Sequence, residues 1–137
     1  MAGNIRLEVV TPEKAVVSED AQIVMAPGSL GEFGVLIGHT PFLTTLKTGA
    51  IKYTDAAGKE RFVFVSGGFV EALPDRVTVL AESAERRRDI DAARAKAALE
   101  RAQKRLSGHA PDVDINFTRA KAAIERALHR IRLIETK

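Results

Sequence analysis

From Ile5 to Val9 the chain alternates: Ile5, Leu7 and Val9 fall on one side, Arg6 and Glu8 on the other. A period of two predicts a half-buried strand. Thr11-Pro12-Glu13-Lys14 breaks it, and Ala15 to Val17 and Ala21 to Ala26 read as two further strands separated by Ser18-Glu19-Asp20. Gly49 to Thr54 and Arg61 to Ser66 flank Asp55-Ala56-Ala57-Gly58, a hairpin with a four-residue loop ending in Gly. After Gly67-Gly68, the segments Phe69 to Leu73 and Val77 to Leu80 flank the turn Pro74-Asp75. Short strands with turn signals at close spacing predict a sandwich or barrel. Its strands are expected to end near Leu80.

The pattern then changes to a helical one. Asp89 is the expected N-cap of a helix from Ile90 to Leu106, with Asp91 in its first turn. Ser107-Gly108-His109-Ala110-Pro111 stops it, and Asp112 or Asp114 can cap a second helix running to about Ile134. Phe117, Ala120, Ile124, Ala127, Ile131 and Ile134 form one stripe at gaps of three and four. The first helix offers a thinner stripe of Ala95, Leu99, Ala102 and Leu106. Two such helices on a short loop predict an antiparallel hairpin. Its Ala content allows close approach but buries little area, so the hairpin should be marginally stable alone. The expected division is a β-domain over residues 1–84 and a helical domain over 85–137.

Composition narrows the chemistry. The chain of 137 residues has no Cys, which excludes disulfides and thiolate metal sites. With no Trp and one Tyr, it supplies few stacking platforms for single-stranded nucleic acid. No apolar run approaches the ~20 residues of a membrane span. Residues 1–80 hold 7 Lys+Arg against 9 Asp+Glu, and residues 81–137 hold 14 against 9, so the basic character belongs to the tail. An acidic partner or an anionic ligand suits that tail, and so does an ordinary solvated surface. The glycines from Gly28 to Gly34 lack the Lys-Ser/Thr ending of a phosphate loop and read as a tight loop entering a strand. His39 lies in a loop, and only His109 and His129 accompany it, so a metal site is poorly supported. Ile90, Arg94 and Arg101 share a helical face, and Asp91 lies three residues before Arg94. Arg119, Arg126 and Arg130 repeat on the second helix. Two readings stay open for these arginines: solvated helix charges, or two guanidinium rows facing one anion.

Five motifs, in order, are specific together. They are Gly31-Glu32-Phe33-Gly34, Gly38-His39-Thr40-Pro41-Phe42-Leu43, Ser66-Gly67-Gly68-Phe69-Val70-Glu71, Val77-Thr78-Val79-Leu80-Ala81 and Asp91-Ala92-Ala93-Arg94-Ala95. Through them the chain resembles the epsilon-subunit family of the rotary, proton-translocating ATP synthase over essentially its whole length. The resemblance implies a β-sandwich of about ten strands followed by a two-helix C-terminal hairpin, in a bacterial protein. It implies a non-catalytic rotor subunit in the central stalk, with the sandwich joining the gamma subunit to the c-ring. It implies helices that meet the alpha and beta subunits and restrain ATP hydrolysis, with Arg105, Arg119 and Arg132 as basic contacts. The expected location is the cytoplasmic face of the bacterial inner membrane, peripheral to it, with no nucleic-acid partner. Glu32 and His39 become candidate partner contacts. No cofactor is implied as required, but ATP is implied as a regulatory ligand, its Mg2+ dependence left open. Its family motif matches Ile90-Asp91-Ala92-Ala93-Arg94-Ala95; Glu85, Arg126 and Arg130 match further contacts, and Arg101 is a weaker match. Two other readings compete: a free-standing nucleotide sensor, and a nucleic-acid module weakened by the nine acidic residues of the tail. An enzyme has least support, because no nucleophile–base pair stands out.

Overall fold

The structure is a computed structural model that describes residues 3–108 and 114–136. The chain divides after Arg87 into two compact units. Among its described residues the first contains seven strands: β1 (Ile5–Val10), β2 (Ala15–Gly28), β3 (Gly31–Val35), β4 (Phe42–Thr45), β5 (Gly49–Asp55), β6 (Glu60–Ala72) and β7 (Arg76–Arg86). Their order is β1-β7-β6-β5-β2-β3, β4 adds to β6, and a β1–β2 pairing closes the ring. All pairings are antiparallel except β1–β7, which is parallel.

Three strands are long enough to serve both layers of this sandwich, which is why seven continuous strands stand where about ten were expected. The first half of β2 pairs with β1 and its second half with β5 and β3. The first half of β6 pairs with β5 and the last part of β7; its second half pairs with β4 and the first part of β7. Ser18-Glu19-Asp20 therefore does not interrupt β2. Ser18 and Asp20 face out, where the Arg6 guanidinium donates to Ser18 Oγ at 2.8 Å and to Asp20 Oδ1 at 3.3 Å. The pairing around Gly67-Gly68 bends β6 without ending it. Ser66 opposes Ser83 and Gly68 opposes Ala81 in one unshifted register, so Gly67 stands across from Glu82, the one position where the ladder is interrupted. Both glycines have positive φ, 68° and 114°. A Cβ built on Gly68 would lie 1.9 Å from the Leu80 carbonyl oxygen.

The predicted alternation holds where it was clearest. Ile5, Leu7 and Val9 are fully buried, as are Val63, Val65, Val70, Val77 and Val79. They meet Val24, Val35, Ile51 and the Tyr53 ring between the layers. In the β5–β6 loop, Asp55 accepts the backbone N–H of Lys59 at 2.9 Å and of Ala57 at 3.0 Å, and the Arg61 Nε at 3.1 Å. The Lys59 N–H foremost, then Arg61, holds its carboxyl below the usual carboxylate range.

The strand expected to end near Leu80 instead runs to Arg86, because its ladder with β6 continues as far as Val63, with Ala81 and Ala84 buried along the way. A chain cut after Ala84 would lose two residues of β7. The second unit contains α1 (Ala92–Gly108) and α2 (Asp114–Glu135), preceded by a 3-10 turn over Arg87–Asp89. That turn moves the cap two residues along. Asp91, not Asp89, is the N-cap: its Oδ1 accepts the Arg94 N–H at 3.0 Å. The two helices pack with Ala95 and Ala102 of α1 and Ala120, Ala127 and Leu133 of α2 buried. Phe117 leaves the predicted stripe and is 54% exposed. Phe117 lies instead beside Lys121, whose Nζ is 5.9 Å from the ring centroid. Leu106 is also exposed. The stop signal from His109 to Pro111 and the cap Asp112 lie outside the described residues.

Candidate functional site

The sandwich carries an apolar groove of about 700 Å3 on its outer face. It arises from strand register. Val10 of β1 is level with Leu80 of β7, Leu80 with Phe69 of β6, and Phe69 with Thr45 of β4. Successive strand residues point to opposite faces, so burying Val70 and Val79 turns Phe69 and Leu80 outward. They are 51% and 54% exposed. Leu46 and Pro12 complete the walls, and Glu82 stands at the margin. In the next row Leu43, 68% exposed, lies level with Glu71. Exposed apolar rows of this kind, flanked by acidic residues, mark contact sites for proteins, membranes or ligands. Sequence reading passed over it, although the signal was present: Phe69 and Leu80 are large apolar residues at solvent-facing positions of the strand pattern.

The two expected contact residues lie elsewhere on the same unit. Glu32 is exposed on β3, opposite Pro27. His39 is half-buried in the loop after β3. Its ring centroid is 5.1 Å from that of Phe42, and its Nδ1 lies 2.7 Å from the Thr40 carbonyl oxygen. Leu30, at the β2–β3 turn, is fully exposed. Glu32, His39 and Leu30 thus lie on or beside β3, and the turn that carries Leu30 adjoins the groove wall, where the Ser29 N–H donates to the Thr45 carbonyl at 2.9 Å.

The expected nucleotide residues divide between the units. Glu85 belongs to β7, paired with Phe64. Ile90 is half-buried in the segment before α1. Asp91 and Arg94 meet through the Arg94 backbone N–H; among the described residues no ion pair joins their side chains. Ala95 is buried in the helix seam, which turns Arg94 and Arg101 outward on α1, both exposed. On α2, Arg126 and Arg130 are half-buried. The helical unit therefore brings a capped helix start and four arginines into one small body. Among the described residues no group of three metal-ligating side chains occurs. No described helix is long and apolar enough to cross a membrane.

A third cluster was invisible in the sequence. Tyr53 donates its hydroxyl to Glu19 Oε2 at 2.7 Å. Arg86 Nη1 lies 3.5 Å from the same oxygen and 3.4 Å from the Tyr53 hydroxyl, while its Nε donates to the Val16 carbonyl at 3.0 Å. Burial, and then Glu19, push the Tyr53 hydroxyl up to about 12.

A family model described as ATP synthase, Delta/Epsilon chain, beta-sandwich domain matches residues 4–87. Another, the long alpha-helix domain of the same chain, matches residues 88–135. The chain belongs to the ATP synthase delta/epsilon family. The two family domains meet between residues 87 and 88, where the structure itself divides. A family relative from Desulforapulum autotrophicum, named ATP synthase epsilon chain, is 63% identical over 137 residues, covering 100% of both chains. One of the same name from Desulfosudis oleivorans is 71% identical over 106 residues, 77% of this chain and 80% of its own. The fold also matches a chain in the Euglena gracilis mitochondrial ATP synthase OSCP/F1/c-ring structure. There the TM-score is 0.78 at 24% identity, over 91% of this chain and 78% of that one.

Proposed function

We propose that the chain is the non-catalytic epsilon subunit of the central stalk of a bacterial ATP synthase, peripheral to the cytoplasmic face of the membrane. Its sandwich joins the gamma subunit to the c-ring. Its helices reach toward the alpha and beta subunits and restrain ATP hydrolysis, and ATP bound to the folded helix pair releases the restraint. The observation that carries this reading is the apolar row of half-buried Val10 with exposed Leu80 and Phe69, on a sandwich with its own core. Such a surface serves a permanent partner, and family membership says which complex supplies one.

The nucleotide half rests on chemistry. Arginine donates two parallel bonds to a phosphate, so Arg126 and Arg130, with Arg94 and Arg101, suit a polyphosphate. The second carboxylate oxygen of Asp91 suits an amino group of the base. A ligand that binds only the paired helices stabilises them by about 2.7 kcal/mol at 100 times its Kd. The test is two-part. Removing residues 88–137 should leave the sandwich on the rotor and raise the ATPase rate of the assembled enzyme. Titrating the full chain with ATP should shift helix resonances, and Arg126→Ala should weaken that binding by roughly 1.5–3 kcal/mol. An ATPase rate unchanged by the truncation removes the restraint; no shift at millimolar ATP removes the switch.

A further inference from the structure

Between the two units lies a very short joint with a rigid attachment on either side. On the sandwich side, Arg86 is the last residue of β7. Its backbone pairs with Val63 of β6. Its side chain crosses to two other strands, reaching the Val16 carbonyl and Glu19 on β2 and the Tyr53 hydroxyl on β5. The end of β7 is thus tied to three strands. Arg87 adds a fourth hold, with its guanidinium carbon 4.6 Å from the centroid of the Phe62 ring. On the helix side, Asp91 caps α1 through the Arg94 N–H, and the Ala95 N–H donates to the Asp91 carbonyl at 3.0 Å. Only Arg88, Asp89 and Ile90 lie between; Arg88 and Asp89 are exposed and belong to the single 3-10 turn.

The cluster is built to resist opening. Tyr53 is fully buried and fills the core with its ring, so its hydroxyl cannot follow a departing partner. Glu19 accepts from Tyr53 and faces Arg86 at once, with the Arg86 side chain only 21% exposed and that of Glu19 33%. Pulling β7 away would strand a half-buried carboxylate and a buried hydroxyl without their cation. A strand end without such ties frays first in any opening event.

We propose that Arg86, Glu19 and Tyr53 form a clamp that holds the end of β7 on the sandwich in every state of the chain, so that rearrangement of the helical unit is confined to Arg88–Ile90. The inference rests on the reading that the helical unit moves. A pivot of three residues gives a restraining arm a defined point of rotation. A β7 end free to peel would lengthen the tether and blur the position the arm reaches.

The experiment is hydrogen exchange on the full-length chain, with and without ATP. It compares wild type with Glu19→Gln and Tyr53→Phe, two variants that keep side-chain shape. In parallel, Lys59→Cys and Lys104→Cys labels on a background free of native Cys report movement between units. In wild type, amides from Ser83 to Arg86 should stay protected in both conditions while exchange at Arg88–Ile90 stays fast. In each variant, Ser83 to Arg86 should exchange roughly tenfold faster or more, with Val77 to Val79 unchanged. Two results overturn the clamp: loss of wild-type protection at Ser83–Arg86 when the labels move, or variants that exchange there like wild type. Labels that never move with ATP refute the mobile arm instead, and the variant comparison still decides the clamp.

Discussion

Replacing Phe69 with Thr should detach the sandwich from its rotor partner while leaving it folded. Phe69 is 51% exposed and Leu80, level with it on β7, is 54% exposed. A phenylalanine presents about 150–250 Å2 in all, so roughly half of that, about 100 Å2, is available for burial against a partner. At ~25 cal/mol per Å2 this corresponds to about 2–2.5 kcal/mol, before the costs of association that are common to wild type and variant. Thr is β-branched, keeps strand propensity and recovers a small part of the area. The expected loss is then about 2 kcal/mol, or roughly thirtyfold in Kd. Leu80→Thr should act similarly. The double variant should fall short of the product of the two, because the residues touch one another across the strand pair.

The assay is calorimetric titration of the purified chain into purified gamma subunit, with thermal unfolding of each variant alone as the control. Lys59→Ser, in the exposed loop between β5 and β6, serves as the surface control and should bind like wild type. Folded Phe69→Thr and Leu80→Thr variants that both bind within threefold of wild type would refute the assignment of the groove. The docking surface would then have to be sought beside β3, around Glu32, His39 and the exposed Leu30.

Gly68→Ala should destabilise the sandwich by about 3 kcal/mol or more, since its Cβ meets the Leu80 carbonyl at 1.9 Å on a backbone with φ of 114°. Gly67→Ala faces only the end of the Glu82 side chain and should cost about 1 kcal/mol; urea unfolding that ranks the two the other way contradicts this account of the bend. Tyr53 supplies a pH test. Its folded pKa of about 12 lies above the ordinary value of 10, so its contribution is complete below pH 10 and is lost as pH rises toward 12. Wild type should lose on the order of 2 kcal/mol across that window relative to Tyr53→Phe, and parallel stability curves would remove the buried hydroxyl from the account.

Much of the sandwich was legible because alternation over five or more residues fixes which face is buried. Ile5, Leu7 and Val9 are the clear case. Continuity was not legible. A period-two pattern cannot show whether Ser18-Glu19-Asp20 ends a strand or lines its outer side; the Arg6 partners on β1 decide that. Likewise Gly67-Gly68 looks like a break, and only the ladder on both sides reveals a bend. The late end of β7 was hidden for another reason: Ala81 and Ala84, its buried residues beyond Leu80, are too small to signal a strand, and their spacing of three departs from a period of two. At the candidate site, motif matching reached the helix residues from Ile90 to Ala95 but passed over Phe69 and Leu80. Their meaning lies in being level with each other across β6 and β7, which only tertiary register supplies. Glu19, Tyr53 and Arg86 are brought together from three strands, and no local pattern connects them.

The two units differ in how much free energy a ligand needs to supply before it changes their state. The sandwich buries more than a dozen Val, Ile, Leu and aromatic side chains, each contributing about 1.5–3 kcal/mol. A bias of about 2.7 kcal/mol from a saturating ligand would hardly register there. Among the described residues of the helix pair, the fully buried positions are Ala95, Ala102, Ala120, Ala127 and Leu133, so Leu133 is the one large side chain among them. The same ligand energy equals the burial of one such leucine. A seam built from alanines is thus matched in scale to a metabolite signal. Ala102→Leu would overpack the seam at a cost of about 1–3 kcal/mol, and Leu133→Ala would weaken it by about 2–5 kcal/mol; both shift the chain toward the unpaired state. Under the proposed switch, Leu133→Ala should therefore raise the ATP concentration needed to restore helix pairing, with gamma binding unchanged because the groove lies wholly on the sandwich.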